Sequence, residues 1–355
     1  MELLKRLSEA FGVAGFEKEA LDIVRESVEP HSDEMERDNL GSLLFTIRGE
    51  AERPRVLVVG HIDEIGFMVN AFEKGFIKFI PIGGWDNQIL QSQRVVIQTR
   101  KGRVKGIISS KPPHLKDAEE RKKVVEVKDM YIDVGATSEE ELKELGVRIG
   151  DSIMPDAGFE KSAFQDRVIG KAFDDRIGVY AAIEIIRRIR SQNITHPNTV
   201  IGAATVQEEV GLRGARTVPN IANPDVAIIF DVDIAGDVPG IKEYEATVKL
   251  NKGPAIVAYD ASMIANNNLK ELAIEVAERN EIPYQLSVIS RGGTDAGQIH
   301  LYRAGCPSLV IGFPTRHIHS FTSLLSMRDV ENAIKLAIEL IKILDEEQVR
   351  KLALG

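Results

Sequence analysis

The sequence predicts an α/β protein that carries a small all-β unit inserted into its main domain. Four apolar runs rich in β-branched residues are typical of buried strands, namely RVLVV (55–59), TVIGAATV (199–206), VAIIF (226–230) and SLVIGF (308–313). Segments with the apolar spacing of helices lie between these runs. Residues 66–164 instead hold short alternating segments separated by glycine, lysine and proline, which is the pattern of a small β unit.

Two helices and two strands are expected before the insertion. Apolar spacing predicts helices over 3–11 and 17–28, separated by the glycine-containing break GVAG. Strands are expected over 42–47 and 55–59. The second of these strands leads directly into the segment GHIDE, which begins at Gly60.

The alternation of strands and helices returns after the insertion. Asp174 and Asp175 open a strong helix, and Ser326 caps a long final helix that runs through Leu344. The remaining elements are strands over 199–206, 226–230, 284–290 and 308–313, with helices over 269–277 and 295–303. We therefore expect a discontinuous main domain, residues 1–65 and 165–355, and an inserted domain, residues 66–164.

Composition limits the classes of function. The chain has 355 residues, of which 43% are hydrophobic and 28% charged, so it is long and apolar enough for a folded core. A net charge of -9 without a dense basic cluster argues against nucleic-acid and anionic-membrane partners. No signal peptide or membrane-spanning run is visible, and the single cysteine, Cys306, excludes an internal disulfide. We expect a cytoplasmic protein whose partner is small or peptide-like.

A pair of adjacent acids, Glu208 and Glu209, follows the strand predicted over 199–206. Ligands bind at the carboxyl ends of strands in an open α/β sheet, so charge at this position is placed for chemistry. Neighbouring side chains on an extended segment point to opposite sides, so one acid could bind a metal while the other moves a proton. The alternative for an isolated pair is a solvated loop.

Other strands also lead into side chains that bind metals. These are His61 after 55–59, Asp231 after 226–230, and His317 and His319 after 308–313, with Asp174 at the start of a helix. Two imidazoles and three carboxylates form a mixed N/O ligand set that suits Zn, Co or Mn. If one carboxylate bridges, the set divides between two ions about 3.5–4 Å apart. Glu208 is then left over as a general base.

Each residue has a second interpretation. His61 could be a strand-end histidine without a ligand role, although Asp63 could fix its tautomer. Asp174 could merely cap its helix, and the segment GGTD (292–295) is first interpreted as a turn and N-cap. Within the ligand set, Asp233 and Asp237 compete with Asp231, and His317 competes with His319.

The motifs HIDEIGF, KAFDDRIG, TVQEEVGLRGAR, DVDIAGD, GGTDAG and RHIHS follow one another in this order. Their succession closely resembles metallopeptidase family 42, the tetrahedral or deblocking aminopeptidases. The likeness covers nearly the whole chain, including SKPPH (110–114) inside the inserted unit. Two positions depart from the family pattern: His317 stands where members often have Tyr, and Asp233 where they often have Thr or Gly.

The resemblance implies a dinuclear site with a defined role for each residue. His61 and Asp231 would complete one ion, Glu209 and His319 the other, and Asp174 would bridge them. Glu208 would be the general base and Asp63 would orient His61. The ions would be Zn or Co, with Mn also compatible, and one of them would receive the free α-amine of a peptide substrate.

The resemblance also implies an architecture and an activity. The catalytic domain would be an α/β/α sandwich with a mixed sheet, and the insertion a PDZ-like β-barrel that makes dimer contacts. Six dimers would build a hollow tetrahedral dodecamer that removes N-terminal residues from peptides. The competing functions are a dinuclear deacylase of N-acyl amino acids, a glucanase-type glycoside hydrolase with two facing carboxylates, and a metal-free binding protein.

Overall fold

The structure is a computed structural model, and it describes residues 1–352. The strands within this range are β1 (Glu34–Arg37), β2 (Leu43–Arg48), β3 (Arg55–His61), β4 (Gly66–Glu73), β5 (Phe76–Ile82), β6 (Arg94–Thr99), β7 (Gly102–Ser109), β8 (Tyr131–Asp133), β9 (Ser152–Pro155), β10 (Glu160–Lys161), β11 (Arg167–Gly170), β12 (Thr199–Thr205), β13 (Val226–Ile234), β14 (Ala255–Asp260), β15 (Met263–Ile264), β16 (Gln285–Val288), β17 (Ser308–Arg316) and β18 (Ser323–Ser326).

The helices are α1 (Glu2–Glu9), α2 (Lys18–Val28), α3 (Glu139–Glu144), α4 (Phe173–Ser191), α5 (Arg213–Ala222), α6 (Asn267–Arg279), α7 (Ala296–Ile299), α8 (Met327–Ile341) and α9 (Glu346–Leu352). The start of α8 follows the local chemistry predicted from the sequence. The side chain of Ser326 accepts a hydrogen bond from the backbone N–H of Arg328, so it caps α8 as expected. In the part of the chain described, no helix combines the length and apolar character needed to cross a bilayer.

One large mixed sheet forms the main domain, with the strand order β1-β2-β12-β3-β13-β17-β18-β11-β10 and β14, β15 and β16 attached at β17. The four central strands β12, β3, β13 and β17 are parallel to one another. β2 pairs antiparallel with β12, and β18 and β14 pair antiparallel with β17. Parallel strands bring their carboxyl ends to one edge. The predicted convergence of the four apolar runs on one sheet edge is therefore correct.

Helices cover both faces of this sheet. A Cβ on Gly60 of β3 would collide with the backbone of Gly178, so this residue faces α4. The next residue, His61, pairs with Thr205 of β12, and Thr205 donates a hydrogen bond to Asp295, just before α7. Because neighbouring residues of a strand point to opposite faces, α4 and α7 lie on opposite sides. The predicted α/β/α sandwich with a mixed sheet is confirmed.

The insertion is a closed antiparallel barrel with the strand order β4-β5-β8-β7-β6-β9. Apolar side chains fill its interior, including Phe67, Ile77, Ile97 and Ile132, all of which are fully buried. Closure pairs every barrel strand with two neighbours, so no edge is left exposed. The predicted inserted β-barrel is thus confirmed.

Three details differ from the sequence-based expectations. β10 lies before residue 164 and yet pairs with β11 of the large sheet, while the last barrel strand ends at Pro155; the division of the chain into domains stays a prediction. β13 continues to Ile234, because it pairs with β17 along its whole length. The helix expected over 295–303 is only the single turn α7.

Candidate metal centre

The carboxyl edge of the central strands carries the predicted ligands. His61 is the last residue of β3, and Asp231 lies near the end of β13. Glu208 and Glu209 follow β12, and His319 follows β17. Asp174 comes from the irregular first turn of α4, whose dihedral angles become helical only after Asp175. The site is thus assembled from four strands and one helix N-terminus.

Asp174 lies between the two imidazoles. Its Oδ1 is 3.0 Å from His61 Nε2, and its Oδ2 is 3.4 Å from His319 Nε2. His319 Nε2 also lies 4.0 Å from Glu209 Oε2. One carboxylate therefore reaches both histidines, which is the geometry expected of a bridging ligand.

Asp63 is fully buried and holds the acidic pair in place. Its two carboxylate oxygens accept hydrogen bonds from the backbone N–H groups of Glu208 (3.0 Å) and Glu209 (3.1 Å). Its Oδ1 is 3.5 Å from Nδ1 of His61, and its backbone carbonyl oxygen is 3.2 Å from the same atom. Asp63 thereby fixes the segment after β12 as well as the ring of His61.

Asp231 belongs to a second group of possible ligand atoms. His61, Asp175 and Asp231 each offer an atom within 4.8 Å of the other two, as do His61, Asp174 and Glu209. Asp175, however, is already paired, since its oxygens accept hydrogen bonds from the backbone N–H groups of His61 (3.1 Å) and Gly178 (3.0 Å). Asp231 is the freer carboxylate of the two.

Burial strongly affects the protonation of these groups. It raises the pKa of Glu208, Glu209 and Asp231 well above the usual carboxyl range, and neighbouring carboxylates raise these pKa values further. Burial acts to raise the pKa of Asp174 too, but the hydrogen bond and charge of His61 and the charge of His319 lower it. Crowded buried carboxylates of this kind are stabilised as anions by a cation among them.

The structure distinguishes the predicted ligands Asp231 and His319 from the residues that compete with them for the same role. Both histidines after β17 are exposed, but only His319 brings its ring within 4 Å of a predicted carboxylate ligand. Asp237 forms an ion pair with Arg316 at 2.6 Å. Asp233 is buried, and its Oδ2 has no hydrogen-bond partner among the described residues. Burial raises the pKa of Asp233 to about 6.

Backbone strain accumulates beside the ligands. Ala172, Gln207 and His319 are non-glycine residues with φ values of 54°, 58° and 53°. Left-handed conformations of such residues cost of order 1–3 kcal/mol each and are common at functional sites. Here they turn the chain two residues before Asp174, immediately before Glu208 and at His319 itself.

A buried ion network beside the site was not recognised in the sequence. Lys171 Nζ binds both carboxylate oxygens of Glu64 (2.7 and 2.8 Å), and Arg176 binds one of them (3.0 Å). Arg176 also donates to the backbone carbonyls of Leu7 and Ala10. Glu64 lies in HIDEIGF, and the two cations flank Asp174 in KAFDDRIG, so the motifs themselves contained the signal.

Asp295 is a further residue whose contacts sequence reasoning missed. Asp295 lies at the N-cap position of α7, as expected, but its side chain makes no capping hydrogen bond. One oxygen instead accepts a hydrogen bond from Thr205, while Oδ1 is buried and without a partner among the described residues. Burial raises the pKa of Asp295 to about 6. Its occurrence in GGTDAG was the only available signal.

The donor set fits divalent cations. It combines imidazole nitrogens with carboxylate oxygens, lacks thiolates, and places its atoms within a few ångströms of one another. His61 can bind through Nε2, because its Nδ1 faces Asp63. The arrangement supports metal-assisted hydrolysis, with Glu208 at 3.8 Å from His61 Nε2 as the nearby carboxylate for proton transfer.

Comparison with known proteins agrees with this chemistry. The family model described as M42 glutamyl aminopeptidase matches residues 41–336. A lysyl aminopeptidase of Pyrococcus furiosus is 36% identical over 345 residues, which cover 96% of each chain. The crystal structure of a TET aminopeptidase from a marine sediment Thaumarchaeota archaeon is 56% identical, covers 99% of this chain and 98% of its own, and has a TM-score of 0.98.

A third relative is the TET1 peptidase of Pyrococcus horikoshii, which can assemble into a tetrahedron or a large octahedral shell. It is 33% identical, with a TM-score of 0.84 over 97% of this chain and 99% of its own. The family match covers most of the chain, and the relatives align over nearly their whole length. The chain therefore belongs to the M42 glutamyl aminopeptidase family and is a peptide hydrolase.

Proposed function

We propose that the protein is a two-metal aminopeptidase in which Asp174 bridges the ions. The observation that carries this proposal is the position of Asp174, whose two oxygens reach the two imidazoles separately. His61 and Asp231 would hold one ion, and Glu209 and His319 would hold the other. Zn or Co suits these N and O donors, and Mn is also compatible.

The residues around the ions would carry out proton transfer and positioning. When bound, divalent ions supply Lewis acidity, which acidifies water and polarises a scissile carbonyl. Glu208 accepts the proton of the attacking water and returns it to the leaving amine. Its raised pKa, caused by burial and by neighbouring carboxylates, suits a group that must hold a proton between two steps. Asp63 positions both His61 and Glu208.

Replacing Glu208 by Gln tests this assignment. The amide keeps the size of the side chain but cannot take up a proton, so turnover of an aminoacyl amide should fall about 10²–10⁴-fold with the metal content unchanged. Turnover and metal content are measured on the same preparations, with N-acetylated substrates included to detect deacylase activity. The control is Glu331→Gln, which removes a carboxylate that pairs with Arg188 on the surface. Wild-type turnover in Glu208→Gln would refute the role of Glu208.

We further propose that peptides are the substrates and that the chain assembles into a tetrahedral homo-oligomer. The assembly of the Pyrococcus horikoshii relative supports this, and the closed inserted barrel offers a separate module for contacts between copies. The expected cytoplasmic location stays a prediction.

A further inference from the structure

A turn of the inserted barrel lies directly against two of the proposed metal ligands. The turn consists of Gly83, Gly84 and Trp85 and follows β5. A Cβ on Gly83 would lie 3.3 Å from Oε2 of Glu209, and one on Gly84 would lie 3.2 Å from Nδ1 of His319. Gly83 also has a φ of +76°, which favours glycine. The barrel therefore forms one wall of the site.

The turn makes a specific hydrogen bond with His319. The ring nitrogen Nδ1 lies 2.9 Å from the carbonyl oxygen of Gly84. Because a carbonyl can only accept, Nδ1 carries the proton and Nε2 keeps its lone pair for a metal. Nε2 is the atom that faces Asp174 and Glu209.

His319 depends on this contact more than His61 depends on any single partner. The side chain of His61 is 2% exposed, whereas that of His319 is 41% exposed. Packing thus fixes the ring of His61 but leaves that of His319 partly in solvent. Apart from the proposed ligands Asp174 and Glu209, Gly84 supplies the hydrogen bond that orients the His319 ring.

Trp85 holds the turn in place. Its ring stacks on Phe67 of β4, with centroids 4.8 Å apart, and packs at 50° against Phe321, with centroids 5.0 Å apart. Its Nε1–H donates to the carbonyl of Gly66 at 3.0 Å. Phe67 belongs to the barrel, whereas Phe321 follows His319 by two residues. The indole therefore joins the barrel to the loop that carries His319.

We propose that Trp85 is a positioning residue which keeps the Gly84 carbonyl on His319 and so sets the affinity for the ion held by Glu209 and His319. The inserted barrel then serves the metal centre as well as assembly. This inference rests on the proposed function in one respect, namely the assignment of Glu209 and His319 as ligands to one ion.

Metal binding to the full-length, metal-free protein tests the proposal. Calorimetric titration of the wild type with Zn²⁺ or Co²⁺ should resolve two binding steps. Trp85→Ala should weaken one step about 10–100-fold, the usual effect of losing a group that orients a ligand, and leave the other unchanged. Trp85→Phe keeps the aromatic packing and should restore the affinity close to the wild-type value.

Gly84→Ala provides a second variant if Trp85→Ala does not fold. The new Cβ would press on Nδ1 of His319, so the same step should weaken. Trp85 is the only tryptophan of the chain; its fluorescence therefore reports the fold of this variant and should change as the affected ion binds. The matched control is Phe76→Ala. This change also removes an aromatic contact of the barrel, since the ring centroids of Phe76 and Tyr131 are 4.7 Å apart. It should leave both steps unchanged.

The two proposals fail in different ways. Wild-type affinities for both ions in Trp85→Ala, or in Gly84→Ala where the first variant is unfolded, would overturn the positioning role of the turn. Fewer than two ions in the wild type would instead overturn the dinuclear site on which the inference rests.

Discussion

Individual carboxylates in this protein have environments that shift their pKa values in opposite directions. Asp174 is kept anionic by the two histidines beside it. Glu208 has a raised pKa, although His61 opposes the effect of burial. Groups whose environments separate their pKa values are suited to different tasks, and here Asp174 would bind metal while Glu208 would carry a proton. The pKa values of the proposed ligands Glu209 and Asp231 are also raised, and a bound cation would favour their anionic forms.

Glu17 allows a test of such a shift by protein stability. Its carboxylate accepts hydrogen bonds from the backbone N–H groups of Gly15 and Gln207. Burial and the charge of Asp63 raise the pKa of Glu17 from 4.5 to about 7. Since the folded pKa is the higher one, the stabilising contribution is complete below pH 4.5 and is lost as the pH rises through about 7.

Between about pH 5 and pH 8, the wild type should therefore lose about 2 kcal/mol of unfolding free energy relative to Glu17→Gln. The amide oxygen of Gln can still accept both hydrogen bonds, so the comparison isolates the charge. Urea unfolding of both proteins at the two pH values measures the difference. The control is Glu29→Gln, because Glu29 is exposed and follows α2, the helix that begins just after Glu17. Its unfolding free energy should show the same pH dependence as that of the wild type. Parallel pH dependence of the wild type and Glu17→Gln would contradict the expectation.

At the scale of elements, buried ions connect the segments that carry the ligands. Glu64 follows β3, Lys171 and Arg176 flank the start of α4, and Arg176 reaches the carbonyls at the end of α1. A Cβ on Gly12 would lie 2.4 Å from a guanidinium nitrogen of Arg176, so glycine is needed where the N-terminal segment passes. The network fixes the positions of His61 and Asp174 relative to each other.

Glu64→Gln should lower the unfolding free energy by about 3–5 kcal/mol, because it leaves Lys171 and Arg176 buried without their anion. Burial and the charge of Arg176 lower the pKa of Lys171 to about 8 even with Glu64 present. The control is again Glu331→Gln on the surface, where losing the pair with Arg188 should cost less than about 1 kcal/mol. Equal urea midpoints for the two variants would show that the network does not stabilise the fold.

At the scale of the whole molecule, the inserted barrel contacts the metal site and is also the module proposed for assembly. Its turn at Gly84 contacts His319, and we propose that other parts of its surface contact other copies. Movement of the barrel against the main domain would therefore displace the ring of His319, one of the proposed ligands.

The mass in solution tests the proposed assembly. Twelve chains of 39.2 kDa give a tetrahedral particle of about 470 kDa. Light scattering coupled to size-exclusion chromatography should give this mass for the wild type. The Phe76→Ala control, which changes the barrel away from the metal site, is measured in parallel. A mass near that of a single chain would contradict the proposal.

The sequence by itself determined the fold class, the central strands and the set of metal-binding residue types. Apolar β-branched runs predict strands whatever their partners, and parallel pairing then forces their carboxyl ends to one edge, so His61 and Glu208 could be expected near each other. The insertion was visible because short alternating segments differ from the helical spacing around them.

Only the tertiary structure decided which side chains meet. His317 and His319 are two residues apart in a loop with left-handed residues, where sequence periodicity gives no direction for a side chain. His319 differs from His317 in its contact with the carbonyl oxygen of Gly84, which lies in the inserted barrel. Glu64, Lys171 and Asp295 likewise have roles set by partners distant in sequence. The motifs that contain these residues mark them as candidates, but their partners depend on how the elements pack in three dimensions, which no local pattern of residues encodes.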